Sequence, residues 1–200
     1  MASPYRILLV VFAVSVIHTF VDGEDIIPGT TEKATETESP TSTTTQRPTV
    51  GGQRIVECSV RGSWPIPSYG EVNIPVSCYS DCSRVRGIDI SMLSLKHPSA
   101  GDLIVSLHKG NRQVVIKDHN RSCGPDYDEI YIQDVAEGGF LDEICGPSTI
   151  SSPPSYLPLE PLSHGFQGVQ GCGEWILNVT NPRGYGGFVT GIAMRYVTES

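Results

Sequence analysis

Residues Gly173 to Thr180 constrain this chain more than any other stretch. Apolar and polar side chains alternate along them: Trp175, Leu177 and Val179 share one face, and Ile176, Asn178 and Thr180 share the other. A period of two is the signature of a strand with one buried face. Trp brings the largest apolar surface in the window, so the Trp175 face is the core side. Asn178-Val179-Thr180 is an N-glycosylation acceptor, and a glycan has to stand in solvent. Two independent cues therefore assign the same face to the core.

The alternation recurs upstream. Glu71–Cys78 sets Val72, Ile74, Val76 and Cys78 on one side, and Pro75, which lacks an N–H, marks an edge strand or a bulge. Val85–Leu95 alternates through Ile88, Ile90 and Met92, then changes phase at Leu93 and Leu95, as a β-bulge would require. Asp102–His108 groups Leu103, Val105 and Leu107. Asn111-Arg112 reads as a turn before a strand over Gln113–Lys117, Ile130–Val135 as a further short strand, and Phe188–Val197 as the last. A Gly/Ser/Pro-rich passage runs from Gly138 to Pro161, and no window keeps a helical period. About seven or eight short strands with turns between them indicate an all-β domain, a β-sandwich or jelly roll. Trp175, Leu177, Val179 and Leu103 belong to its core.

The N-terminal quarter is different material. Arg6 precedes the apolar run Ile7–Ile17, which is too short to span a bilayer and fits the apolar core of a secretory signal ending near Gly23. Thr30–Thr49 holds nine Thr, two Ser and two Pro, with no Leu, Ile, Val or aromatic residue. Such a segment cannot bury enough apolar surface to offset chain entropy, so residues 24–50 are expected to be a disordered stalk, of a composition that carries O-glycans. The globular domain is expected over 51–200. Six cysteines lie outside the signal, Cys58, Cys78, Cys82, Cys123, Cys145 and Cys172, enough for three disulfides whose pairing the sequence leaves open. The Cys78-x-x-x-Cys82 spacing lacks the second close pair a zinc site needs. The net charge is −8, with no Lys/Arg cluster, which argues against nucleic-acid binding. The mature chain is expected to be secreted, with no segment inserted in a membrane.

Four motifs from Leu93 onward carry a family resemblance: LSLKHPSAGDLIVSL, with His97 and Gly101-Asp102-Leu103; IYIQDVA, ending on Asp134 and Ala136; SYLPLEPLSHGFQG, with Phe166 and Gly168; and GEWILNVTNPRGYGG. In this order, within about Val72–Val197, they resemble the P domain (P/Homo B domain) that follows the catalytic domain of kexin- and furin-type proprotein convertases. The resemblance implies a galactose-binding-like jelly roll and a setting associated with subtilisin-like serine proteases. This chain departs from the family pattern at Pro98, where Thr is usual, and at Leu157, where Arg is usual. It departs again at Asn181, where an acid is usual, and in GIAM near the end, where Trp is usual.

No catalytic domain is expected beside these motifs, since the stretch before Gly51 is too short and too polar to be one. No Ser stands in a Gly-x-Ser-x-Gly context and no His in a recognisable catalytic motif, so no activity as an enzyme is expected. His97 reads as a strand-end residue bonded to the loop after it. The window Asp126–Glu143 is rich in acids and holds no Lys or Arg. Calcium takes about six to eight oxygens, and Asp126, Asp128, Glu129 and Asp134 are its candidate ligands, although DYDE lacks EF-hand spacing; a solvated loop is the plainer reading. Asn120-Arg121-Ser122 is a second sequon beside Asn178. Tyr127, Tyr131, Tyr156 and Tyr185 could form an exposed ligand face. The expected function is a secreted, non-catalytic module that contacts an extracellular protein, glycan or matrix. The alternatives are an accessory of a subtilisin-like protease, or an acidic matrix component.

Overall fold

The computed structural model describes residues 39–48, 53–80, 82–119, 124 and 126–199. Among them, ten strands form two sheets. One has the order β1 (Thr41–Pro48), β2 (Gln53–Ile66), β10 (Gly187–Glu199), β4 (Val85–Lys96), β7 (Asp126–Ile132), β8 (Ile150–Ser151). The other runs β3 (Gly70–Cys78), β9 (Gly173–Asn181), β5 (Ile104–Lys109), β6 (Arg112–Lys117). Neighbours are antiparallel except β7 and β8. The expected all-β sandwich is therefore present, with more strands than the turn signals suggested. Its one α-helix, α1 (Leu162–Phe166), is a single turn.

The β9 faces are as the alternation requires. Trp175, Leu177 and Val179 are fully buried, as is Leu103, while Asn178 and Thr180 point outward. Trp175 is the centre of an aromatic stack. Phe166 meets it edge-on at 5.1 Å and Tyr196 stacks at 6.1 Å. Its indole N–H donates to the Gly171 carbonyl at 2.9 Å, and the Lys109 ammonium sits 5.0 Å from the ring centroid. Such rings contribute area burial plus about 0.5–1.5 kcal/mol per pair.

Pro75 lies on β3, an edge strand, where its missing N–H costs nothing. The phase change in β4 is a bulge. Ile90 and Leu93 face Ile132 and Ile130 on β7, so Ser91 and Met92 together oppose one step of the neighbour. Two boundaries move. The β5–β6 hairpin turns at Gly110-Asn111 rather than Asn111-Arg112, because Gly110 supplies the positive φ (+59°) that a two-residue hairpin turn needs. The strand expected over Ile130–Val135 spans Asp126–Ile132 instead, because Asp134 leaves the sheet to cap α1.

The stalk reading is corrected in part. Thr41–Pro48 is not without structure but pairs residue for residue with Arg61–Arg54 of β2. It buries no side chain fully among those described, so backbone hydrogen bonds hold it. They are joined by Thr44 Oγ1, which donates to Ser77 O (3.3 Å) and accepts from Tyr79 N–H (3.2 Å). Composition argues against an apolar core contact, and it says nothing against a sheet edge that needs a partner. Residues 1–38, with the expected signal, lie outside the described residues. So do Asn120 and Cys123.

Disulfides brace the sandwich. Cys58–Cys78 ties β2 to β3 across the two sheets, and Cys82–Cys172 ties the loop before β4 to the one before β9. Cys145 is also disulfide-bonded, and no described cysteine is free. No helix among the described residues is long and apolar enough to cross a membrane.

Candidate functional site

The outward face of the six-stranded sheet carries a groove of about 610 Å³, lined by Ser91, Glu129, Tyr131 and Arg195 and walled by Ser152–Ser155. It continues over Ser91 and Glu129 into a second depression of about 330 Å³, floored by Ala193 and Met92 and bounded by Glu57 and Arg61.

Strand geometry delivers these side chains. On β10, Met194 and Tyr196 turn inward and are fully buried, so Ala193 and Arg195 face out. On β4 the bulge at Ser91–Met92 brings both residues to the groove. A second bulge lies in β7: Tyr127 and Ile130 are both buried against β4, leaving Asp128 and Glu129 exposed in succession. Glu129 sits at φ +50°, a left-handed conformation that side chains rarely adopt, with its N–H donating to Ser94 Oγ at 3.0 Å. Bulges and positive φ at non-Gly residues concentrate where a sheet re-aims a side chain for use.

The polar groups are organised. Arg195 Nη2 donates to Asp89 Oδ2 at 2.8 Å and to the Tyr131 hydroxyl, which itself donates to Asp89 at 3.2 Å. The guanidinium lies 5.7 Å from the Tyr131 ring centroid. The hydrogen bond to Asp89 holds Arg195 above its ordinary value. Burial, then the Asp89 charge, raises the Tyr131 phenol. Across the groove Arg61 pairs with Glu129 at 3.0 Å, both well exposed, so that pair contributes little to stability. The result is a trough of donors and acceptors over an apolar floor of Ala193 and Met92.

The calcium candidates do not converge. Asp126 Oδ1 accepts the His97 N–H at 3.0 Å. Asp134 accepts the N–H groups of Leu162 and Ser163 at 2.7 and 2.8 Å, capping α1. Glu129 faces the groove and Asp128 is exposed. Among the described residues no three His, Cys, Asp or Glu side chains form a group that could hold a metal ion.

The four tyrosines do not share a face, which corrects that expectation. Tyr127 and Tyr156 are buried, Tyr131 lies in the groove, and Tyr185 stands exposed in the loop before β10. Tyr127 and Tyr131 stand four apart and would share a face on a regular strand, but the bulge at Asp128–Glu129 turns Tyr127 inward and leaves Tyr131 outward. A different aromatic set is exposed: Tyr69 (78%), held at φ +52°, with Tyr185 (64%) and Phe188 (49%).

His97 does what its place at the strand end suggests. Ser99 N–H donates to Nδ1 at 3.1 Å, so the ring proton sits on Nε2, which donates to Tyr185 O at 3.1 Å. Both ring nitrogens are engaged. The nearest approach to catalytic geometry is Ser106 Oγ with His108 Nε2, 2.9 Å apart on the outward face of β5. No described side chain orients the other ring nitrogen, and the pair lies in register beside Asn178. Asn178 itself donates to Asn73 at 2.9 Å and accepts from Thr180 Oγ1 at 3.1 Å.

Sequence reasoning singled out Tyr131 as part of a ligand face and Glu129 as a calcium ligand. It missed Arg195, Asp89, Arg61 and Ser91. One signal was available: in DYDEIYI, Tyr127 and Ile130 stand three apart, which breaks the alternation and marks the bulge.

No protein-family model matches the sequence, and no curated protein matches it. Among solved structures, the fold is similar to one described as the crystal structure of Aeromonas sobria serine protease (ASP) and the chaperone (ORF2) complex. The identity is 13% and the TM-score 0.46, and the match covers 79% of this chain and 27% of that one.

Proposed function

We propose that this chain is a non-catalytic extracellular binding module, built on a P-type β-sandwich, that takes its ligand in the groove of the six-stranded sheet. The observation that carries this reading is the groove itself, where two bulges and a positive-φ glutamate present polar side chains over the apolar Ala193 and Met92. The sequon supports the choice of face. A glycan on Asn178 would cover the four-stranded sheet, together with the Ser106–His108 pair, and leave the opposite face free. The ligand class is a hydroxyl- and amide-rich surface of an extracellular protein or glycan, which matches the groove's mixture of donors and acceptors. Disulfides and the absence of a membrane-spanning helix among the described residues fit an extracellular setting. A second reading, an accessory of a subtilisin-like protease, is favoured by the four motifs that resemble the P domain.

The test is capture from the native secretion on the immobilised full chain, in parallel with a glycan array. Ser91→Trp is the blocking variant, because Ser91 lines both parts of the groove. Loss of the captured ligand by at least tenfold, with an unchanged melting curve, is the expected result. Equal capture by Ser91→Trp overturns the groove assignment. Stoichiometric recovery of a subtilisin-like enzyme establishes the second reading in its place.

A further inference from the structure

Strand β6 ends on Lys117, whose side chain is only 2% exposed. Its ammonium donates to the backbone carbonyls of Gly101 (2.7 Å), Leu103 (3.0 Å) and Asp118 (2.7 Å). An ammonium has three protons, and all three are used. The Asp142 carboxylate lies 3.7 Å away. Burial lowers the pKa of Lys117, while the negative charges of Asp142, Asp118 and Asp102 oppose that shift.

The nitrogen thus sits in a shell of oxygens drawn from three separate segments. These are the 3-10 turn Ala100–Asp102 with the start of β5, the residue after β6, and the 3-10 turn Leu141–Glu143. Backbone carbonyls with a carboxylate are the ligand set of a hard cation, calcium above all. A buried lysine is costly, because its desolvation must be offset by well-placed partners. The carbonyls here all point at one centre from different parts of the chain, as they do around a bound ion.

We propose that this oxygen cage is a cation site filled from within: the Lys117 ammonium stands where a divalent ion would, and once the lysine is removed the cage binds calcium. Packing of the three segments is therefore independent of extracellular calcium in the native chain. The Gly101-Asp102-Leu103 motif has a physical role in this arrangement, since the carbonyls of Gly101 and Leu103 form half of the shell. The inference is independent of the groove and of any ligand bound there.

The experiment uses the full secreted chain and three proteins: wild type, Lys117→Ala and Lys117→Met. Melting temperatures are taken in calcium and in chelator, and terbium luminescence is excited through tyrosine, since Tyr127 lies near enough to Asp142 to feel its charge. Wild type is expected to melt at the same temperature in both and to give no terbium signal at the cage. Lys117→Ala should melt roughly 10 °C lower in chelator, regain at least half of that loss in calcium, and gain the terbium signal. Lys117→Met fills the vacated space with an apolar stem and should melt low in both. The proposal is overturned by a Lys117→Ala chain that regains nothing, by equal recovery in Lys117→Met, or by a wild type that loses stability in chelator. Failure of Lys117→Ala to accumulate in calcium-rich as well as calcium-free medium overturns it too, because the ion should replace the ammonium during folding.

Discussion

Asn181 allows a direct test of how this scaffold is held together. Its side chain is 1% exposed at the end of β9. The amide nitrogen donates to Pro67 O at 3.1 Å and to Tyr185 O, and the amide oxygen accepts Arg183 N–H at 3.0 Å. One side chain therefore holds the Gly-rich turn to the loop before β3. Asn181→Asp keeps the shape and the acceptor for Arg183 but replaces two donors with an oxygen that faces two carbonyls. Pro67 O is left without that donor, at about 1–3 kcal/mol, while Tyr185 O keeps the His97 ring N–H, and a poorly paired buried charge brings the total to about 3–5 kcal/mol. For a domain of this size that corresponds to a fall in Tm of roughly 10 °C at neutral pH. The pH dependence has a definite sign. Burial and the two carbonyls raise the folded-state pKa of the introduced carboxyl above its unfolded value of about 3.9. The variant's stability is then fullest below that value, where the carboxyl O–H can donate to one carbonyl, and is lost as pH rises through the folded value. The gap to wild type, followed by calorimetry from pH 4 to pH 7, should widen with pH. A variant that melts within about 1 °C of wild type at pH 7, or a gap that widens on acidification, would refute the account of Asn181 as a two-donor clamp.

Gly171→Ala places a Cβ 2.4 Å from the Tyr196 ring, which has Trp175 stacked on it and Ser80 bonded to its hydroxyl at 2.8 Å; overpacking of about 1–3 kcal/mol should lower Tm and alter the near-ultraviolet circular dichroism of Trp175. Asp134→Ala removes the acceptor for both N–H groups at the start of α1 and should cost about 1–2 kcal/mol in denaturant melts, with no change attributable to calcium. Tyr127 is buried and its phenol is pushed well above the ordinary value, first by desolvation and then by Asp142. A raised folded-state pKa gives stability that is present below about pH 10 and lost above it as the unfolded chain ionises. Tyr127→Phe should therefore lose less stability than wild type between pH 9 and pH 11.

Much of the fold was legible because it rests on period-two alternation. Trp175, Leu177 and Val179 had to be inward on any strand that left Asn178 accessible, and the β4 bulge showed itself as a change of phase at Met92-Leu93. What was hidden depends on partners far apart in sequence. Thr41–Pro48 has no apolar side chain, and only the free edge of β2 gives it a place. Asp134 reads as one acid among several until Leu162 and Ser163 arrive at its carboxylate from 28 residues or more away. The groove was the least visible part. Arg195, Asp89, Arg61 and Ser91 are ordinary outward residues on three different strands, β10, β4 and β2, and become a site only when these lie side by side with β7.

The residues of the shared motifs and the residues of the groove differ in what their polar atoms do. His97 is bonded through both ring nitrogens, to Ser99 and Tyr185. Asp102 pairs with Arg183 at 3.4 Å, Gly101 and Leu103 turn their carbonyls to Lys117, and Asp134 caps α1. Apart from the local His97–Ser99 bond, these contacts join segments distant in sequence, and all are buried or partly buried. Residues so placed preserve a shape, and a pattern built from them identifies a scaffold without identifying a ligand. Of the groove residues, only Tyr131 and Ser155 belong to the motifs. Asp89, Arg195, Arg61, Glu129 and Ser91 can change without disturbing the braces, since their side chains bond on the outside of a sheet whose core is already closed beneath them, Arg195 to Asp89, Arg61 to Glu129 and Ser91 to Glu57. A second chain with the same four motifs and different residues at these five positions should fold alike and bind something else.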